Sequence, residues 1–163
     1  MSDESLVRVL FVCTGNTCRS PMAAAALADE LGPDAPRVEV LSAGTSAWEG
    51  QPASTGTLEV ALAAGIDLSA HRARRASARL VKDADFVIVM EPLHRSALES
   101  LGAPMGRVHV LSEFPEPGEP GLPVSDPYGA SREAYEECWR RIRLHVRRLT
   151  PAVRQALDAR KPS

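Results

Sequence analysis

The run Val9-Leu10-Phe11-Val12-Cys13-Thr14-Gly15-Asn16-Thr17-Cys18-Arg19-Ser20-Pro21 passes from four apolar residues into a tight polar loop and then into a helix start. Apolar residues without alternation describe a central parallel strand covered on both faces, and Pro21 suits the first position of a helix. A loop between such elements turns backbone N–H groups toward a helix N-terminus, a ready site for a phosphate-like anion. Cys13 would stand at the floor of that site, which makes a cysteine nucleophile attacking phosphorus the working idea.

Working outward, Arg8 to Val12 is the first strand, and Pro21 to Leu31, with Met22 and four consecutive alanines, is a helix stopped at Gly32-Pro33. Val38 to Leu41 predicts a second strand, Ser42 to Pro52 a polar loop containing Trp48, and Ser54 to Ala64 a helix closed by Gly65. Ser77 to Lys82 reads as a short helical piece, Phe86 to Met90 as the third strand, Pro92 to Leu101 as a helix and Val108 to Leu111 as the fourth strand. Glu113 to Pro127 holds five prolines and reads as an ordered loop or a lid. The spacing of Tyr135, Cys138, Trp139, Ile142, Val146 and Leu149 predicts a terminal helix from Ser131 to about Leu157, kinked or restarted at Pro151, with Cys138 in the core.

Strand and helix alternate throughout, which predicts a parallel sheet with helices on both faces and a ligand site at the carboxyl ends of its strands. One domain over 1–163 is expected, frayed at 1–6 and 160–163. A chain of 163 residues buries roughly two-thirds of its unfolded surface and needs no staple. A net charge of -2 and a pI near 6.1 give no general pull toward nucleic acid or anionic membrane. The three cysteines match no zinc spacing and read as reduced thiols, so neither metal nor cofactor is expected. The acidic start, Met1 to Ser5, lacks a long apolar run, and nothing downstream approaches a membrane span; a cytoplasmic monomer is expected.

Residue by residue, the loop can be read blandly: a Gly-Asn turn is common, and a cysteine at a strand end is often buried filler. The combination is harder to dismiss. A cysteine at a helix N-terminus has a lowered pKa, Arg19 adds a fixed charge and a planar fork for two phosphoryl oxygens, and Ser20 offers a hydroxyl to the thiolate. The loop lacks the Gly-Lys-Ser/Thr ending of a nucleotide-binding loop. Hydrolysis through a cysteinyl-phosphate needs a proton donor for the leaving atom and later a base for water. Asp126, in Ser125-Asp126-Pro127-Tyr128-Gly129 at the exit of the proline-rich segment, is the candidate.

Cys13 to Pro21 together with Asp126-Pro127-Tyr128 resembles the low-molecular-weight protein tyrosine phosphatase family over nearly the whole chain. The resemblance implies a single-domain α/β three-layer sandwich with a four-stranded parallel sheet in the order 2-1-3-4. It implies Cys13 as nucleophile, Arg19 as phosphate grip, Asp126 as general acid and base, and Ser20 as the group that lowers the thiol pKa. Thr14, Gly15, Asn16, Thr17 and Cys18 would complete the phosphate-binding loop, with Ser42 and His71 bracing it beside Asn16. Cys18 would be the second thiol of a reversible, protective disulfide; read by itself it is also a small filler residue. The partner implied is a phosphorylated protein.

Two residues disagree about that substrate. Thr17 stands where tyrosine-specific relatives carry Ile or Leu, and the loop resembles that of the bacterial protein arginine phosphatases of the same family. Trp48 matches the aromatic wall of tyrosine phosphatases, and Tyr128 could form the other wall or anchor the last helix. Phosphotyrosine-type activity is the expectation and phosphoarginine the alternative. Arsenate reductases share this loop but need further cysteines, of which Leu80 to Glu91 has none; a phosphocarrier would need neither Arg19 nor Asp126. The arginines from Arg72 to Arg79 read as a solvated face.

Overall fold

The computed structural model describes residues 5–160; residues 1–4 and 161–163 of the expected frayed ends lie outside it. In chain order it carries β1 (Val7–Cys13), α1 (Arg19–Leu31), β2 (Val38–Gly44), α2 (Thr55–Ala63), α3 (Ala78–Asp83), β3 (Phe86–Val89), α4 (His94–Ser100), β4 (Val108–Val110) and α5 (Arg132–Ala159). All strand pairs are parallel, in the expected order β2-β1-β3-β4.

β1 is interior to the sheet and apolar on both faces. Val7, Val9 and Phe11 face one core with residues of α1, α2 and α5, while Leu10 and Val12 face a second with Val81 of α3 and Leu98 of α4. The result is one three-layer domain. Those five β1 side chains are fully shielded from solvent, each contributing about 1.5–3 kcal/mol. Cys13 therefore ends the most firmly seated strand of the molecule. Among the described residues no helix is long and apolar enough to cross a membrane.

Four expectations are corrected. β2 runs on through Ser42, Ala43 and Gly44, which the sequence assigned to the loop; they pair with Phe11, Val12 and Cys13. α1 begins at Arg19, so Pro21 occupies its third position, where an N–H has no intrahelical partner and the ring does no harm. α5 runs through Pro151 without restarting; Thr150 Oγ1 donates to the Val146 carbonyl on the turn before it. Arg160, assigned to a frayed end, forms two hydrogen bonds of 3.0 and 2.6 Å to the Asp85 carboxylate.

The proline-rich segment is docked on α5. Arg140 pairs with Glu119 at 3.1 Å, Arg141 donates to the carbonyls of Leu122 and Pro123, and His145 Nδ1 lies 3.0 Å from the Phe114 carbonyl. That docking carries Asp126 back over the carboxyl edge of the sheet.

Asp85 also accepts the Arg8 N–H at 2.8 Å. Burial by itself would raise its pKa, but hydrogen bonds from Arg160 and Arg8 and the charges of Arg160 and Arg107 hold it below the ordinary carboxylate value. A carboxyl depressed in the folded state stabilises fully above its unfolded pKa and loses that contribution as pH falls through the folded value. Asp85→Asn is therefore expected to cost about 1–2 kcal/mol near neutral pH, read as a lower melting temperature, with the deficit closing below about pH 4. A deficit as large at about pH 3 as at about pH 7 would remove the ion pair from this account.

Candidate active site

The loop from Cys13 to Ser20 is held by its carbonyls. Those of Cys13 and Thr14 accept N–H groups of Thr45 and Ser46 at 2.9 Å each, that of Thr17 accepts Ser54 N–H at 3.0 Å, and that of Cys18 accepts Met22 N–H at 3.2 Å. The Asn16 carbonyl lies 2.7 Å from His71 Nε2, which must carry the proton because a carbonyl only accepts. With its carbonyls tied outward the loop presents N–H groups inward, and those of Asn16 and Ser20 reach the Cys13 sulfur.

Asn16 is the turning point. Its φ is 56°, among the described residues the only positive value outside glycine. The buried side chain donates to Ser20 Oγ at 2.8 Å and Ser42 Oγ at 3.0 Å, while Oδ1 accepts Arg74 N–H at 2.9 Å. Arg74 Nε also donates to the Ser42 carbonyl at 3.0 Å, so this arginine belongs to the bracing and not to a solvated face.

Cys13 Sγ stands 2.9 Å from Ser20 Oγ. Burial has the largest influence on its thiol and pushes it above the ordinary value; the Ser20 hydroxyl, the two loop N–H groups and the Arg19 charge pull the other way. The pulls are those expected from the sequence; the burial that opposes them is supplied by the fold. The helix N-terminus adds positive potential at the same point.

Arg19 is 2% exposed. One of its terminal nitrogens is shared between the Val124 carbonyl at 2.9 Å and Glu91 at 3.0 Å, the other is 3.8 Å from Asp126, and Nε is buried without a partner. Asp126, half exposed, accepts Tyr128 N–H at 3.1 Å on its other oxygen. Cys13, Thr14, Gly15, Thr17, Cys18 and Arg19 thus floor a cleft of about 280 Å³, with Asp126 across from them. Trp48 and Tyr128 rim it, 74% and 72% exposed. Among the described residues no three His, Cys, Asp or Glu side chains stand together as metal ligands.

Several participants escaped the sequence. Glu91 follows β3, and His94, one turn on, lies 3.0 Å from Thr14 Oγ1. A residue just past a strand beside β1 falls on the same carboxyl edge as Cys13, and that signal could have found Glu91. Behind the loop, Cys18 Sγ contacts Ser54 Oγ at 3.2 Å and the Tyr135 hydroxyl at 3.5 Å. Burial first, then interaction with Cys18, raises the Tyr135 hydroxyl to about 12 against the pull of Ser54.

Residues 8–161 match the sequence model of the low molecular weight phosphotyrosine protein phosphatase family. The chain is 37% identical over 147 residues to the probable low molecular weight protein-tyrosine-phosphatase EpsP of Ralstonia nicotianae, covering 90% of this chain and 95% of the relative. It is 39% identical over 129 residues to a protein-arginine-phosphatase of Geobacillus stearothermophilus, covering 78% and 83%. The solved structure of the YwlE arginine phosphatase from that organism superposes with a TM-score of 0.82 at 31% identity, over 96% of this chain and 99% of that one.

Gly44 is where the sheet and the loop touch. A Cβ there would stand 2.5 Å from the Thr14 carbonyl oxygen and 2.9 Å from both Asn16 N and Ala47 Cβ. Gly44→Ala is expected to cost about 1–3 kcal/mol and to weaken orthovanadate binding. Thermal unfolding with and without vanadate measures both; a variant with unchanged melting and unchanged vanadate stabilisation contradicts the close approach.

Proposed function

This chain belongs to the low molecular weight phosphotyrosine protein phosphatase family and is a cysteine-dependent hydrolase, and we propose that it hydrolyses phosphotyrosine-type monoesters on proteins through a cysteinyl-phosphate. The observation that carries the reading is Arg19: a guanidinium is buried in the cleft that holds Cys13, and its Nε has no partner in the protein. A buried cation with an unused donor is costly unless an anion completes it.

In the first step Cys13 Sγ, as thiolate, attacks phosphorus while the bond to the leaving oxygen breaks and Asp126 gives that oxygen its proton. Arg19 and the inward N–H groups hold the other phosphoryl oxygens as charge develops. In the second step the Asp126 carboxylate takes a proton from water, the water oxygen attacks phosphorus, and the P–S bond breaks. The Ser20 hydroxyl receives the returning thiolate. Removing the general acid from such a mechanism slows it by about 10²–10⁴.

Substrate choice rests on the rim. Two large rings left exposed at the mouth suit stacking on a phenyl group. Thr17, beside the attacked atom, favours the second reading, a phosphoarginine whose guanidinium a hydroxyl suits better than an aromatic ring.

Metal-independent hydrolysis of p-nitrophenyl phosphate is expected, competitively inhibited by vanadate, absent in Cys13→Ser and slowed by about 10²–10⁴ in Asp126→Ala. Full activity in Cys13→Ser would falsify the nucleophile assignment. Phosphotyrosine and phosphoarginine peptides assayed in parallel decide the substrate. Thr17→Ile should move the ratio of the two kcat/KM values toward phosphotyrosine, and an unmoved ratio removes Thr17 from specificity.

A further inference from the structure

We propose that the Thr14 hydroxyl donates a hydrogen bond to an oxygen of the bound phosphoryl group, and that His94 is the positioning residue that reserves it for this use. The inference rests on the phosphatase reading above, because it needs a phosphoryl group over Cys13.

His94 opens α4 and is 1% exposed. Its Nδ1 lies 3.2 Å from the backbone N of Glu91. A backbone N–H only donates, so Nδ1 carries no proton and accepts. The ring proton is then on Nε2, which stands 3.0 Å from Thr14 Oγ1 and must donate to it. The charged groups that act on His94 are Arg19, Glu91 and Asp126. Burial first and Arg19 second lower its pKa, and the two carboxylates only partly offset them, so the imidazole is neutral at pH 7.

A threonine hydroxyl has one proton and two lone pairs. His94 occupies a lone pair, which leaves the proton to be given elsewhere, and the described residues supply no other hydrogen bond to Thr14 Oγ1. Thr14 is exposed and lines the cleft with Cys13, Arg19 and Asp126. Were Nε2 unprotonated, it would take the Thr14 proton for itself. The backbone of the β3–α4 turn, by choosing the tautomer, thus decides whether the phosphate loop has one more donor.

The test is a double-mutant cycle on p-nitrophenyl phosphate hydrolysis and on inhibition by inorganic phosphate. Thr14→Val should lower kcat/KM and weaken phosphate inhibition roughly tenfold or more, as loss of one hydrogen bond to a charged group does, while Thr14→Ser stays near wild type. His94→Asn keeps an acceptor for Glu91 N–H but falls short of Thr14; it should lose a smaller factor, which His94→Gln, reaching the Nε2 position with a donor, restores. In the Thr14→Val background His94→Asn should cost nothing more. Wild-type behaviour of Thr14→Val, or an equal loss from His94→Asn in both backgrounds, overturns the proposal. Should the His94 variants fail to fold, the contrast between Thr14→Val and Thr14→Ser at an exposed side chain still decides the donor. Wild-type protein that neither hydrolyses p-nitrophenyl phosphate nor binds inorganic phosphate would instead sink the phosphatase reading itself.

Discussion

The site depends on one buried amide. Asn16 sits in a left-handed conformation that costs a non-glycine residue of order 1–3 kcal/mol, and it stays there because every polar atom of its side chain, and its carbonyl, is engaged. The partners come from α1 (Ser20), β2 (Ser42) and the segment after α2 (His71, Arg74), so three parts of the chain agree on one backbone shape. Glycine would relieve the strain but would leave Ser20, Ser42 and the Arg74 N–H without the amide between them. The strain is the condition for turning the loop N–H groups inward.

That shape has an electrostatic consequence. Burial works against a charged Cys13 and against Arg19, and the protein offsets it unequally. Arg19 has a carboxylate and a carbonyl within 3.0 Å yet keeps Nε unpaired; Cys13 has a hydroxyl, two N–H groups and a neighbouring cation, and burial still prevails. Both imbalances suit the phosphoryl dianion of the proposed reaction: it would give Arg19 Nε an acceptor and take up the loop donors.

Much of this was legible in the sequence. The apolar run into Cys13, the spacing to Arg19, and Asp126 followed by proline are local patterns, and the strand order followed once the family resemblance was seen. The errors share a physical cause, which is that a residue's neighbours across the fold leave little trace in its local chain. Ser42 to Gly44 look like loop residues because they are small, but β1 pairs with them and Gly44 must lack a Cβ for Thr14 to pass. Arg74 looks like solvated charge because its guanidinium is conspicuous, whereas its backbone N–H also braces the loop. Cys13 looked activated because its activating neighbours are adjacent in sequence, while the burial that opposes them is supplied by distant residues. His94 and Thr14, 80 positions apart, had no signal at all.

The rim was legible through the family resemblance, which names Trp48, Tyr128 and Thr17 as its walls, and all three line the cleft. Trp48 and Tyr128 lie on loops that the Asn16 side chain does not tie, and both rings are exposed, so packing within the fold does not dictate their identity. Thr17 is the one specificity candidate inside the braced loop, and it shows how the two demands are separated: its carbonyl is fixed by Ser54 N–H while its side chain faces the cleft. A change of side chain there would, on the proposed reading, alter what the phosphoryl group's neighbour meets without moving the backbone that would hold the phosphoryl group. On that reading chemistry falls to Cys13, Arg19 and Asp126 together with the main-chain geometry of the loop, and substrate choice to side chains that the geometry leaves free.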